Sequence, residues 1–201
     1  MNNRQIQAME TKQLIIDTAA KLMAESGFHE WKVEDLTNAC GVAKGTFYHY
    51  FKSKEDVVAV IAMLPFDELK EELKKKTGTL LPELLRFYIA EFARLIERFG
   101  LGLTKQWLKS ASAPQTESEK KSKLEFDMGC IRMILTDAIK KGELSEQIPV
   151  ETLTIQITAQ IYGMLMLWCL SDGKISMSAN LKQYSDYLIT AVLRPYFSQS
   201  K

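Results

Sequence analysis

Lys44, Thr46, Tyr48 and His49 fall within one stretch of six residues, with Lys52 and Lys54 just beyond, and each can donate a hydrogen bond. Such a set has little use against an apolar or cationic partner. It suits phosphates and base edges, where ammonium groups meet the backbone and shorter polar side chains reach into a groove. No Asp or Glu occurs between Asp35 and Glu55, so the local field has the sign that phosphate requires. Bulk charge does not say the same. From Met1 to Leu64 seven Lys/Arg face eight Asp/Glu, and the 201-residue chain carries a formal net charge of +1. The chain is not polybasic, and double-stranded DNA is implied by one short stretch alone.

To act together those side chains need a helix held outward on a rigid turn. Val33 to Cys40 is a short apolar-periodic segment, Gly41 follows with the freedom a tight inter-helix turn requires, and a second helix opens near Lys44. Val42, Phe47 and Phe51, at offsets of five and four, anchor that helix inward and leave Lys44, Thr46, Tyr48 and His49 outward. Upstream, Thr11 to Ser26 reads as a supporting helix with Ile15, Ala19, Leu22 and Met23 on one stripe and Gly27 as its stop. Downstream, Ser53 is placed to cap a fourth helix with Asp56 as its capping-box partner, and Pro65 is expected to kink or break it.

At these residues the sequence resembles the TetR family of transcriptional repressors. The likeness runs from about Thr11 to Val58 and includes Ile15, Ala19, Gly27, Phe28, Leu36, Gly41, Val42, Gly45, Thr46, Phe47, Tyr48, Tyr50, Phe51, Lys54 and Glu55. Two positions depart from the family pattern: Lys32 stands where Thr or Ser is usual, removing an N-cap hydroxyl, and Thr37 where a small residue is common. In this frame Lys44, Gly45, Thr46, Tyr48, His49, Tyr50 and Lys54 are expected to face DNA. The resemblance implies a helix-turn-helix head, here 1–52, and a helical effector-binding and dimerisation body, 53–201. It further implies a dimer built as a four-helix bundle from two long helices of each body.

With 46% hydrophobic and 25% charged residues, the chain can bury a sizeable core, and its pattern is all-α with about nine helices and no strand signature. Leu80 to Phe99 is apolar round more than half its circumference and reads as the central body helix; a shorter one carries Trp107. Thr116 to Glu119 forms a capping box for a helix from Glu117 to Lys141, whose seam is Leu124, Met128, Ile131, Leu135 and Ala138. Pro149 to Ser171 is apolar on two sides, which calls for two burial partners: its own core and the same surface of a second copy. The expected homodimer interface comprises Met128, Ile131, Leu135, Ile157, Ile161, Gly163, Met164 and Trp168. Thr152 to Ser171 also has the length of a membrane span, but Thr152, Thr154, Gln156, Thr158 and Gln160 are costly in lipid and ordinary in a protein-packed helix. Ser178 to Leu193, stopped by Pro195, is the last helix. Met1 to Glu10 has no apolar leader, so a cytoplasmic location is expected.

Cys40, Cys130 and Cys169 are odd in number and sit in helical patterns, as buried apolar thiols do. His29 and His49 lack neighbours at metal-ligand spacing, and no nucleophile motif or phosphate loop is present, so no enzyme activity, metal or cofactor is expected. The body is rich in aromatics. Phe66, Phe87, Tyr88, Phe92, Trp107 and Tyr162 are the candidate lining of a cavity for a small lipophilic or aromatic effector. Two function classes follow: a ligand-responsive regulator, most simply a repressor released from a pseudo-palindromic operator, or a helical small-molecule-binding or protein-interaction module that no longer binds DNA.

Overall fold

A computed structural model describes residues 2–26, 30–111 and 123–198. Among them are nine α-helices: α1 (Asn3–Ser26), α2 (Val33–Cys40), α3 (Lys44–Tyr50), α4 (Lys54–Lys75), α5 (Leu81–Phe99), α6 (Leu101–Ala111), α7 (Lys123–Lys140), α8 (Val150–Leu170) and α9 (Met177–Tyr187). A single π turn, Leu188–Val192, extends α9, and a 3₁₀ turn containing Pro195 ends it. The expected capping box at Thr116 to Glu119, the stop at Gly27 and His29 all lie outside the described residues.

The chain divides into two compact units, 1–64 and 65–201, a boundary inside α4 rather than at the expected 52/53. The reason lies in burial: Val57 and Val58 of α4 belong to the same unit as the core residues Ile15, Ile16, Ala19, Trp31, Leu36, Phe47 and Phe51. Pro65 does not end the helix, which is continuous from Lys54 to Lys75. A helix-interior proline costs about 3 kcal/mol. Burial of Val57 and Val58 before it, and of Phe66, Leu69 and Leu73 after it, is large enough to offset that cost.

The second unit is a helical bundle. α5 packs along α9, α7 along α8, and α5 and α8 each touch two further helices. α5 buries Leu81, Leu84, Leu85, Tyr88, Ile89, Phe92, Ala93, Leu95 and Ile96. By length and composition α8 could cross a membrane, yet Leu153, Thr154, Ile157, Thr158, Ile161, Leu165, Trp168 and Cys169 are buried within this unit. Gly142, at φ 74°, closes α7, and an antiparallel bridge between Leu144 and Phe197 ties the chain's end to the α7–α8 turn.

Candidate functional site

In the first unit the turn between α2 and α3 is set by Gly41, which adopts the left-handed φ of 66°. Its N–H donates to the Asn38 carbonyl at 3.2 Å and that of Val42 to the Thr37 carbonyl at 3.0 Å, a double closure that a side chain at Gly41 would strain. Phe47 is fully buried and rests edge-on to Tyr48 at 5.3 Å and against Phe51 at 5.7 Å. That anchor decides what α3 shows to solvent. Lys44, Gly45, Tyr48 and His49 are exposed, Thr46 and Tyr50 half-buried. Tyr48 is 50% exposed although Phe47 meets its ring, and His49 lies edge-on to Tyr50 at 5.0 Å. A methyl group at Gly45 would meet nothing within 4 Å, so internal packing does not require a glycine there.

The two lysines expected at DNA differ. Lys44 Nζ lies 2.7 Å from Glu34 Oε1 of α2 on the open surface. The hydrogen bond and the opposite charge raise the lysine above its ordinary value and lower the glutamate. An exposed pair of this kind is weak and screened by salt, so phosphate can replace the glutamate. Lys54 instead donates to the Trp31 carbonyl at 2.6 Å, its ammonium 4.2 Å from the centre of the Trp31 ring. Partial burial pushes this ammonium below the usual lysine range. Lys54 therefore acts as a strut between the start of α4 and Trp31, two residues before α2. At Lys32 the backbone N–H donates to Asp35 Oδ2 at 2.7 Å. A lysine side chain has no acceptor, so the other half of the box is missing. Ser53 caps α4, its Oγ accepting from the Asp56 N–H at 3.3 Å, while Asp56 Oδ2 accepts from the Lys52 N–H at 2.8 Å.

The second unit holds a different kind of site. Phe66, Tyr88, Phe92, Trp107 and Tyr162 come together, with ring centres of Phe66 and Phe92 5.9 Å apart and Tyr162 6.2 Å from both Phe92 and Trp107. Tyr88 belongs through its hydroxyl, which shares a carboxylate with that of Tyr162. Phe87 points elsewhere and is covered by Lys76, whose ammonium lies 4.5 Å from its ring. Inside the cluster are two charges that the sequence reading overlooked. Asp127 is buried, and Lys123, one turn earlier on α7, places Nζ 2.6 Å from both of its oxygens. Tyr88 donates to Oδ1 at 3.1 Å and Tyr162 to Oδ2 at 2.8 Å. The same ammonium stands 3.5 Å from the ring centre of Phe66 and 4.8 Å from that of Phe92. Burial, only partly offset by Asp127, pushes Lys123 below the ordinary lysine range. Burial and the adjacent carboxylate push both tyrosines up.

Both sites now have a setting among known proteins. The family model for the bacterial regulatory proteins of the tetR family matches residues 15–61, from within α1 to within α4. Through this segment the chain is similar to the TetR family of regulators. It is 28% identical over 181 residues to the fatty acid metabolism regulator protein of Bacillus subtilis (strain 168), spanning 89% of this chain and 93% of that one. Its fold is that of the transcriptional regulator FadR from Bacillus subtilis in complex with stearoyl-CoA, with a TM-score of 0.59 at 24% identity over 89% of this chain and 97% of the other. It is likewise that of Thermus thermophilus FadR in complex with lauroyl-CoA, at 0.65 and 18% over 90% and 95%.

The residues expected at a dimer interface on α7 and α8 differ in how far the protomer itself covers them. Ile131, Leu135, Ile157, Ile161 and Trp168 are buried within the protomer, while Met128 and Met164 are half-buried and Gly163 is exposed. A helix's two apolar sides cannot be told apart by periodicity, and α8 turns the Leu153–Ile157–Ile161–Leu165 side inward. Its outward stripe is Ile155, Ala159, Gly163, Met166 and Leu170, of which Ile155 is 56% and Leu170 74% exposed. On α7 the buried stripe starts at Asp127, not at Leu124, which is 44% exposed. An acid spaced four residues before Ile131, in phase with Ile134 and Ala138, was the available signal for the buried charge.

Proposed function

We infer that this protein is a transcriptional repressor that binds a pseudo-palindromic operator as a homodimer and is released by a lipophilic or aromatic effector held in the second unit. The observation that carries the reading is the division of labour along the chain. α3 offers Lys44, Thr46, Tyr48 and His49 outward from a Gly41 turn, while the second unit collects aromatic side chains about a satisfied buried carboxylate. Self-association is supported by the outward apolar stripe of α8, too continuous to leave in water. Two copies then present two α3 helices to half-sites about 34–36 Å apart, or a multiple of one DNA turn. Nothing in this role calls for an enzyme, and it is performed on DNA in the cytoplasm.

Release follows from differential affinity. α4 contributes Lys54 to the first unit and Phe66 to the second, so an effector that repositions its second half biases the spacing of the two α3 helices. A preference of about 1–3 kcal/mol for the non-binding state weakens DNA binding some 5–150-fold, and DNA weakens effector binding by the same factor. Long-chain acyl thioesters are the first effectors to try, given the ligands named for the two structures of the same fold. The test is an anisotropy titration with the DNA flanking the gene, over a range of salt, with and without acyl-CoA. Salt-dependent, sequence-selective binding supports the reading. A folded dimer with no preference for that DNA refutes it in favour of a small-molecule or protein-interaction module.

A further inference from the structure

The buried ammonium of Lys123 is held as a bound ligand would be. It makes two contacts of 2.6 Å to Asp127, and it faces the rings of Phe66 at 3.5 Å, Phe92 at 4.8 Å and Phe126 at 5.9 Å. Tyr88 and Tyr162 complete the carboxylate's hydrogen bonds, so the counter-charge is fixed whether or not Lys123 stays. Aromatic faces around a desolvated carboxylate are the chemistry that recognises organic cations. Lys123 is the first residue of α7, so a change of side-chain torsions can withdraw its ammonium without moving the helix.

We propose that the box formed by Asp127, Tyr88, Tyr162, Phe66 and Phe92 is a binding site for an organic cation on an apolar or aromatic body, occupied in the free protein by the chain's own Lys123. The site sorts ligands by charge. A neutral or anionic lipophile that expelled Lys123 would leave the Asp127 carboxylate buried without a counter-ion. A ligand bringing its own ammonium replaces the lysine like for like and frees Lys123 to reach water. The proposal rests on the effector reading but sets ligands with a cationic buried end against the acyl thioesters, whose buried end is uncharged, and it is separable from DNA binding.

The test uses the full chain and two probes. Binding of phenethylammonium is measured by calorimetry against 2-phenylethanol, which has the same shape without the charge. Lys123 acetylation is followed by peptide mass spectrometry with and without benzyltrimethylammonium, which does not consume the reagent. The wild type should bind phenethylammonium and not the alcohol, and the quaternary cation should speed acetylation of Lys123 severalfold. Lys123→Ala, freed of its tethered competitor, should bind at least tenfold more tightly, and Lys123→Ala/Asp127→Asn should lose binding. Equal binding of the alcohol, survival of binding in the double variant, or acetylation of wild-type Lys123 unchanged by the cation overturns the proposal; the last readout stands even where the variants fail to fold. Operator release by acyl-CoA alone, with no cation binding, overturns the cation site and leaves the repressor reading intact. Cation binding in a protein that ignores DNA does the reverse.

Discussion

Removing Lys123 should be among the most damaging single changes in the second unit. Its side chain is 8% exposed and that of Asp127 2%, and their contact is 2.6 Å. Lys123→Met keeps most of the stem's volume and strips the charge, leaving a carboxylate in the core whose donors among the described residues are the hydroxyls of Tyr88 and Tyr162. Breaking one side of a buried ion pair costs about 3–5 kcal/mol. For a chain of this size each kcal/mol lowers the melting temperature by about 2–4 °C, so a drop of roughly 6–20 °C is expected. Asp127→Asn should cost a similar amount for the mirror-image reason: it strands an ammonium between Phe66 and Phe92. Lys123→Met/Asp127→Asn should be more stable than either single variant, because no charge remains uncompensated and the amide can still pair with a tyrosine. The assay is thermal and urea unfolding of all four proteins by circular dichroism, read as a double-mutant cycle. Additive losses, or a Lys123→Met loss below about 1 kcal/mol, would refute the claim that the pair is desolvated and coupled.

Alkaline pH should destabilise the fold: burial pushes the Cys130 thiol from 9.0 to about 11, so between those values the unfolded chain binds fewer protons than the native one and stability falls with rising pH, by up to about 3 kcal/mol. Tyr184, pushed up to about 12 from 10.0, adds to the fall above pH 10; Cys130→Ala should lessen the fall of the urea midpoint between pH 9 and 10. Glu34→Gln releases Lys44 from its surface partner and removes a negative charge near DNA, so operator affinity should rise and the salt slope steepen by up to about 0.9. Lys44→Ala/His49→Ala should weaken the operator about 10- to 100-fold and blunt base preference, and wild-type affinity would remove α3 from the interface. Gly45→Ala should raise stability by a few tenths to about 1 kcal/mol, since the methyl has open space, yet weaken DNA binding where the backbone must come close; unchanged affinity would count against that approach. Met166→Glu and Leu170→Glu alter only the outward stripe of α8 and should give folded monomers in sedimentation, with dimers refuting that face.

The helix-turn-helix was legible from sequence because its signals are local: a glycine that must take a positive φ, aromatic anchors one turn apart, and the absence of acids over nineteen positions. All-α architecture was legible for the same reason, since each helix announces its own period. What local pattern could not supply was which side of a helix meets a neighbour. Both sides of α8 are apolar, and only packing against α7 and α9 decided that Ile157 and Ile161 go inward while Ile155 and Leu170 stay out. The same holds for charge. Lys44 and Lys54 are both expected at DNA from sequence, yet one pairs with Glu34 in the open and the other donates to the Trp31 carbonyl with its ammonium over the Trp31 ring. Lys123 and Asp127 look like an ordinary surface pair at i,i+4, the commonest helix pairing there is. Their burial is created by Phe66, Tyr88, Phe92 and Tyr162 arriving from α4, α5 and α8, between 31 and 61 positions away along the chain, and the only local trace of that convergence is the phase of Asp127 with Ile131, Ile134 and Ala138.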